Sequence, residues 1–232
     1  MRCGLPIGYE VFPGKMGEGN SVLPSLRTMH LDTRQAVIVA DAGMFSNNYL
    51  TDLDTQGCSY GVGARLRHFP KTLKERILEV SRYRNVKGET IKVGVFSHHG
   101  RRVVVSYSPK RARKDADDRE KALTKLMRRL KNSSTPEQWL GTSGHHRFVR
   151  MVGDAPIEWD TDNIKEAEAW DGLHGVVTNL KGMSVTELFT PSHQLWQVED
   201  SFRVTKHDLR ARPIFHGTER RIRAHLAISF MA

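Results

Sequence analysis

The sequence is poor in the residues that build cross-linked, zinc-binding or membrane-spanning proteins. It contains two cysteines, Cys3 and Cys58, and no CxxC pair, which argues against a disulfide framework and a cysteine-based zinc site. No apolar run approaches the ~20 residues of a membrane span. Residues 1–15 lack the apolar stretch of a signal peptide. A reducing cytoplasm is therefore the expected location, and no membrane partner is expected.

Short motifs that bind nucleotides or metal ions are missing as well. Neither a P-loop nor a GxGxxG fingerprint occurs, and GVGARL at residues 61–66 has the wrong spacing for one. The histidine pairs at 98–99 and 145–146 have no HExxH or CxxC companion. We therefore expect no small-molecule substrate and no histidine zinc centre.

Positive charge is present in excess. The chain has 232 residues, with 36 Lys or Arg against 26 Asp or Glu, a net charge of +10. Such a balance favours a polyanionic partner, most often nucleic acid, over the alternative of a merely well-solvated basic surface. Residues 82–131 alone hold sixteen Lys or Arg and five Asp or Glu. This segment is either a solvated helix with internal ion pairs or a surface that contacts phosphates, and the sequence leaves both interpretations open.

The order of the predicted elements indicates an α/β fold with a mixed sheet. We divide the chain into residues 1–57, 58–182 and 183–232. The first block predicts alternating strands and helices, namely strand 5–12, helix 21–30, strand 35–40 buried on both faces, and helix 46–56 capped by Ser46.

The second and third blocks differ in character. The second predicts a β-rich region with strands near 59–66, 90–96, 101–108, 145–152 and 174–180 around one helix at 109–130. That helix has an apolar stripe and two expected ion pairs, Asp115–Arg119 and Asp117–Lys121. The third block predicts helices that begin near Ser184, Ser192 and Thr218.

Two carboxylates in separate blocks are candidates for metal binding. Asp41 follows the apolar strand directly, at the position where ligands gather beyond strand ends. Glu199 lies on an amphipathic helix, with Arg203, Lys206 and Arg210 on the same face. Each acid taken alone is better explained as a turn residue or a surface ion pair. Together they suit phosphoryl transfer with two metal ions, which needs acidic ligands that converge from separate elements.

Four segments resemble the DDE-type transposases of bacterial insertion sequences, in particular the insertion-sequence-4 group. VIVADAGMFSNNYLTDL is similar to the segment of the second Asp, and YSPKRARKDADDREKALTKL to the insertion region. AWDGLHGVVTNL resembles the strand that leads back from that insertion. LWQVEDSFRVTKHDLRARPIFHGTERRIRAHLAISF resembles the helix of the last acid and the segment after it.

The resemblance implies a ribonuclease-H-like core, interrupted by a β-rich insertion, that nicks and joins DNA with Mg²⁺ or Mn²⁺. It makes Asp41 the second Asp and Glu199 the Glu of the triad, both catalytic and both metal ligands. Lys206 matches the signature lysine that contacts the phosphates of transposon ends, and Trp196 matches an aromatic of the same helix. Arg203 and Arg210 are the further DNA-binding residues that we expect, and a homodimer is left open.

The chain departs from the family signature in ways that bear on activity. Ser192 and Leu195 stand where the signature has Tyr and Arg. The first Asp should lie upstream of Leu5, so we expect an N-terminally truncated and inactive copy. The alternative is a DNA-binding remnant without catalysis, and we expect weak, salt-sensitive DNA binding with little or no cleavage.

Overall fold

The computed structural model describes residues 8–30, 36–42, 44–86, 90–132, 144, 146–150, 157–184, 187–188, 203, 211 and 213–231. Within these residues the longer helices are α1 (Glu18–Thr28), α2 (Asn47–Thr55), α3 (Lys71–Leu78), α4 (Pro109–Lys131), α5 (Thr161–Glu168) and α6 (Glu219–Met231). The strands are β1 (Val37–Ala40), β2 (Ser59–Gly63), β3 (Arg84–Asn85), β4 (Lys92–His98), β5 (Arg101–Tyr107), β6 (Val149–Arg150), β7 (Glu158–Trp159) and β8 (Leu173–Thr178).

Six of these strands form one mixed sheet in the order β1-β2-β8-β5-β4-β3, and β6 and β7 form a separate antiparallel ribbon. β1 runs parallel to β2, with Ala40 opposite Val62. β8 runs antiparallel to β2, with Gly63 opposite Val176. β1 and β2 therefore end at the same edge of the sheet, and β8 begins there.

The residues group into two compact units. The first unit consists of residues 1–65, 97–103 and 176–232, and the second of residues 66–96 and 104–175. The first unit therefore draws segments from all three blocks of the sequence. Three strands, β4, β5 and β8, contribute residues to both units.

The core of the first unit lies where α2 packs on β1 and β2. Leu53 and Tyr60 have no exposed surface, and Cys58 is 1% exposed. Val22 and Leu23 of α1 pack against the same cluster. Since six residues separate the end of β1 from the start of α2, this packing fixes the connection that contains Asp41.

The second unit buries a separate set of apolar side chains. Tyr83 and Phe96 pack with ring centroids 6.2 Å apart, and Gly94 leaves space for the Phe96 ring. Leu126 is the buried residue of α4, and Leu123, Met127 and Leu130 beside it are half-buried. The apolar stripe predicted for this helix is therefore confirmed.

The element types were largely predictable. Helices 21–30, 46–56 and 109–130 are confirmed as α1, α2 and α4, and the helix predicted to begin near Thr218 is confirmed as α6. The side-chain oxygen of Ser46 accepts a hydrogen bond from the backbone N–H of Tyr49 at 3.3 Å, as expected of a helix N-cap. Mixed α/β architecture is confirmed as well.

Three local predictions were wrong. Residues 8–13 form no strand, because their alternating pattern meets no neighbouring strand: β1 is the end of the sheet in the described residues. For the same reason β1 is not buried on both faces, and Val37 is 40% exposed. Of the strand predicted at 145–152, the described part contains a 3₁₀ turn at His146–Phe148 and only the two-residue β6.

The ion pairs predicted inside α4 do not form among the described residues. Asp115 lies 3.8 Å from Arg111 instead, and Arg119 turns away from the helix to bind Asp171 at 2.6 Å. The partner of Arg119 comes from the turn before β8, which sequence spacing along one helix does not reveal. Asp117 and Lys121 also form no ion pair in the described part of the chain.

Candidate active site

Asp41 lies immediately after β1, at the edge where the parallel strands β1 and β2 both end. Its side chain is exposed. One carboxylate oxygen, Oδ1, accepts a hydrogen bond from the backbone N–H of Ala42 at 2.6 Å, and the Asp41 carbonyl accepts one from Met44 at 3.2 Å. These bonds close a tight turn at the end of the strand. An exposed carboxylate at such an edge presents hard oxygen donors of the kind that Mg²⁺ prefers.

Two glycines lie directly against the backbone of this turn. A Cβ on Gly63, at the end of β2, would lie 2.7 Å from the backbone nitrogen of Ala42. A Cβ on Gly19, in α1, would lie 2.4 Å from the carbonyl oxygen of Met44. Only glycine allows so close an approach of two backbones. We call Gly19, Gly63 and the turn between them the glycine clamp of Asp41.

The segment after β8 is fixed by one arginine. The Nη1 atom of Arg102 donates hydrogen bonds to the carbonyl oxygens of Leu180, Lys181 and Met183, at 2.8, 3.2 and 3.2 Å. These three carbonyl oxygens lie outside the strands, and Arg102 supplies the hydrogen bonds that a neighbouring strand would otherwise give them. Arg102 thereby sets the path of the chain toward the helix that begins after Ser184.

That helix begins with a reciprocal cap. The Ser184 backbone N–H donates to the Glu187 carboxylate at 2.9 Å, and the Glu187 N–H donates to the Ser184 hydroxyl at 3.3 Å. Hydrogen bonds from the Ser184 side chain and backbone lower the pKa of Glu187. The predicted helix start near Ser184 is therefore confirmed, and the described part of this helix continues through Leu188.

A polar network ties α2 to the sheet in the same unit. The Asp54 carboxylate accepts hydrogen bonds from the Tyr60 hydroxyl at 3.0 Å, from Arg101 Nε at 2.9 Å and from Asn179 Nδ2 at 3.0 Å. Arg101 also donates to the Thr51 hydroxyl at 2.9 Å. Burial raises the pKa of the Tyr60 hydroxyl, with Asp54 adding to the effect, so that Tyr60 stays a neutral donor. The network fixes the helix that follows the Asp41 turn.

Of the predicted site residues, the structure describes Asp41 and Arg203. Glu199, Trp196, Lys206 and Arg210 lie outside the described residues, and Arg203 is described as a helical, exposed residue. Within the described part of the chain, no three His, Cys, Asp or Glu side chains are grouped closely enough to hold a metal ion. No helix described there is both long and apolar enough to cross a membrane.

Sequence reasoning missed Gly19, Gly63, Arg102 and the Asp54 network. Gly63 belongs to the GVGARL segment, which predicts the end of a strand and lacks the spacing of a dinucleotide motif. A glycine at the end of a strand is a known signal of close backbone approach, and it was available in the sequence. The partners of Arg102 and Arg101 lie 78 to 81 and 47 to 50 residues away, and no local pattern points to them.

Comparison with known families decides the class of protein. The family model of the transposase DDE domain matches residues 2–232. The chain belongs to the DDE transposase family. Membership in this family implies DNA as the partner and a divalent metal ion as the cofactor. No curated protein and no solved structure matches the chain. The insertion-sequence-4 group and an N-terminal truncation stay predictions.

Proposed function

We propose that this DDE transposase chain is the part that carries out metal-dependent cleavage and joining of DNA strands, of the insertion-sequence-4 type. On this proposal it has a ribonuclease-H-like core formed by residues 1–57 and 183–232, with residues 58–182 as the insertion. The observation that carries the proposal is the position of Asp41. Its carboxylate is exposed at the edge where two parallel strands end, on a turn held by the glycine clamp.

The donor chemistry at Asp41 fits Mg²⁺ or Mn²⁺. Oδ1 is engaged by a backbone N–H, which orients the carboxylate, and the exposed group presents oxygen toward solvent. We propose Glu199 as the second carboxylate ligand. Ions bound there would supply an activated nucleophilic oxygen and stabilise the leaving one. The remaining predicted residues would act on the DNA: Arg203, Lys206 and Arg210 by pairing with phosphates, and Trp196 by stacking on a base.

A second candidate function is DNA binding without cleavage. The observation that favours it is the hydrogen bond from Ala42 to Asp41 Oδ1, since capping a turn is the ordinary role of an aspartate that ends a strand. Both candidates assign the chain to DNA in the cytoplasm. A homodimer is compatible with both, and analytical ultracentrifugation would test it.

Plasmid nicking separates the two candidates. The purified chain is incubated with supercoiled plasmid and either Mg²⁺ or Mn²⁺, and the conversion to open circle is followed. On the catalytic proposal we expect nicking that is weak, requires the metal, and falls at least about 100-fold in Asp41→Asn, because the amide cannot replace an anionic ligand. Asp52→Asn, on the exposed face of α2, is the matched control and should nick like the wild type.

Two results would decide against the catalytic proposal. One is salt-sensitive DNA binding with no nicking in either metal, which supports the second candidate. The other is nicking that persists in Asp41→Asn, which removes Asp41 from the site. A parallel Glu199→Gln variant tests the second ligand in the same assay.

A further inference from the structure

We propose that one face of α4 is a preformed binding surface for the phosphate backbone of duplex DNA. Five exposed cations at i, i+4, i+11, i+15 and i+18 form what we call the α4 stripe: Lys110, Lys114, Lys121, Lys125 and Arg128. At 100° per residue they lie within an arc of about 60°, and the stripe is about 27 Å long. The inference rests on the proposed role of the chain in handling DNA, and it adds a surface that the catalytic motifs do not include.

The stripe lies on the solvent-exposed side of α4. The apolar residues Leu123, Leu126 and Leu130 lie on roughly the opposite side of the helix, and Leu126 is buried. The cations of the stripe are therefore not used to pack α4 in the second unit.

The cations of the stripe have no ion-pair partners among the residues that the structure describes. Within α4, the described ion pair is Arg111–Asp115 at 3.8 Å, which involves no member of the stripe. Arg119, which sequence spacing assigns to a pair within the helix, binds Asp171 instead, and Asp115 also accepts the backbone N–H of Gly172. Three exposed acids, Asp117, Asp118 and Glu120, lie between the two ends of the stripe and leave it positive. This favours a phosphate-contacting surface over a helix neutralised by its own ion pairs.

Two polar contacts attach α4 to the turn before β8 within the second unit. Arg119 binds Asp171 at 2.6 Å, and the Asp115 carboxylate accepts the backbone N–H of Gly172 at 3.0 Å. Gly172 has φ +79°, and a Cβ there would lie 2.8 Å from Ala112, so that the turn fits directly against the helix. Side chains on a fixed helix lose less freedom on binding than side chains on a mobile loop.

The chemistry of the face favours a nucleic acid duplex over a membrane. The exposed α4 positions from Lys110 to Lys131 are charged apart from Thr124, so the face has no apolar side chain to insert into lipid. Duplex DNA carries one charge per about 1.7 Å of its axis, so a rod of this length faces many phosphates at once. Contacts of this kind are independent of base sequence.

The test measures binding without metal, so that cleavage does not contribute. Fluorescence anisotropy follows a labelled duplex of about 30 base pairs and arbitrary sequence in EDTA over a series of salt concentrations. The stripe variant is Lys121→Gln with Lys125→Gln and Arg128→Gln. The matched control is Lys71→Gln with Lys92→Gln and Lys181→Gln, which removes the same charge at exposed positions outside α4.

We expect the stripe variant to bind at least tenfold more weakly than the wild type near 0.1 M salt. The slope of log K against log salt should shrink by about 3, since each lost phosphate contact removes about 0.9. The control should lose less than about one unit of slope. A second variant, Lys110→Gln with Lys114→Gln, should shrink the slope by about 2. It tests the stripe independently if the triple variant does not fold.

Three results would overturn the proposal: a stripe variant with wild-type slope, a control that weakens as much as the stripe variant, or a wild type that binds no duplex. A failure of the proposal that the α4 stripe binds DNA can be told apart from a failure of the catalytic proposal. The catalytic proposal is judged by metal-dependent nicking of plasmid, whereas the stripe is judged by the salt dependence of duplex binding in EDTA, where no cleavage takes place.

Discussion

Each of the two units contains an arginine that pairs with an aspartate far away in the sequence, and the two pairs differ in their surroundings. In the first unit, Arg101 on β5 is 8% exposed and binds Asp54, whose carboxylate also accepts hydrogen bonds from Tyr60 and Asn179. In the second unit, Arg119 on α4 binds Asp171 and lies 3.7 Å from the exposed Glu168. Among the residues that the structure describes, Arg101 binds one carboxylate, and Arg119 has a second acid nearby.

This difference determines how much each pair contributes when one partner is lost. A buried guanidinium without its carboxylate keeps its desolvation penalty, whereas one with a second acid or with access to water recovers part of the loss. The hydrogen bond and the charge of Asp171 raise the pKa of Arg119, so that it is a firmly held cation. The following substitutions test whether the two pairs contribute as unequally as their surroundings indicate.

Asp54→Ala should have the largest effect. It leaves Arg101 with the Thr51 hydroxyl and removes the acceptor of the buried Tyr60 hydroxyl. We expect the free energy of unfolding to fall by about 3 kcal/mol, toward the low end for a broken buried pair because the Asp54 side chain is 33% exposed. Urea unfolding monitored by circular dichroism measures the change. A loss below about 1 kcal/mol would show that water reaches Arg101 freely.

Asp171→Ala should have an intermediate effect of about 2 kcal/mol. Glu168, 3.7 Å from Arg119, remains as a partner, and the Arg119 side chain is 13% exposed. The same urea experiment applies, and combining the change with Glu168→Ala should lower the stability further, because the alternative acid is then gone. An Asp171→Ala loss as large as that of Asp54→Ala would contradict the proposed inequality of the two pairs.

Glu79→Ala should have the smallest effect. Glu79 forms an ion pair with Arg82 three residues on, and the two side chains are 49% and 46% exposed. Exposed pairs contribute little because water and salt screen them, and we expect a change of less than about 0.5 kcal/mol. A change above about 1 kcal/mol would mean that exposure is a poor guide to the contribution of ion pairs in this protein.

Periodicity and capping were sufficient to predict α2 and α4 from sequence. Ser46 is the N-cap of α2 that its residue type indicates, and the apolar residues around Leu126 pack as their spacing indicates. These features depend on neighbours within one helical turn, where the sequence contains the necessary information.

Features that depend on distant partners were not predictable in the same way. The edge position of β1 and the partner of Arg119 are determined by which strands and turns meet in space. The position of Asp41 after β1 was predicted correctly, because a strand and its end are local features. Its convergence with Glu199 stays a prediction, since Glu199 lies outside the described residues.

The glycine clamp has a consequence for how substitutions at Asp41 act. The turn is located by the backbones of Gly19 and Gly63, which approach Met44 and Ala42, and by the hydrogen bond from the Ala42 N–H to Asp41 Oδ1, which an amide oxygen can also accept. The charge of the side chain at residue 41 and the position of that side chain can therefore be changed separately. Exchange of the carboxylate for an amide changes the charge at the sheet edge, while enlarging either glycine would displace an unaltered carboxylate.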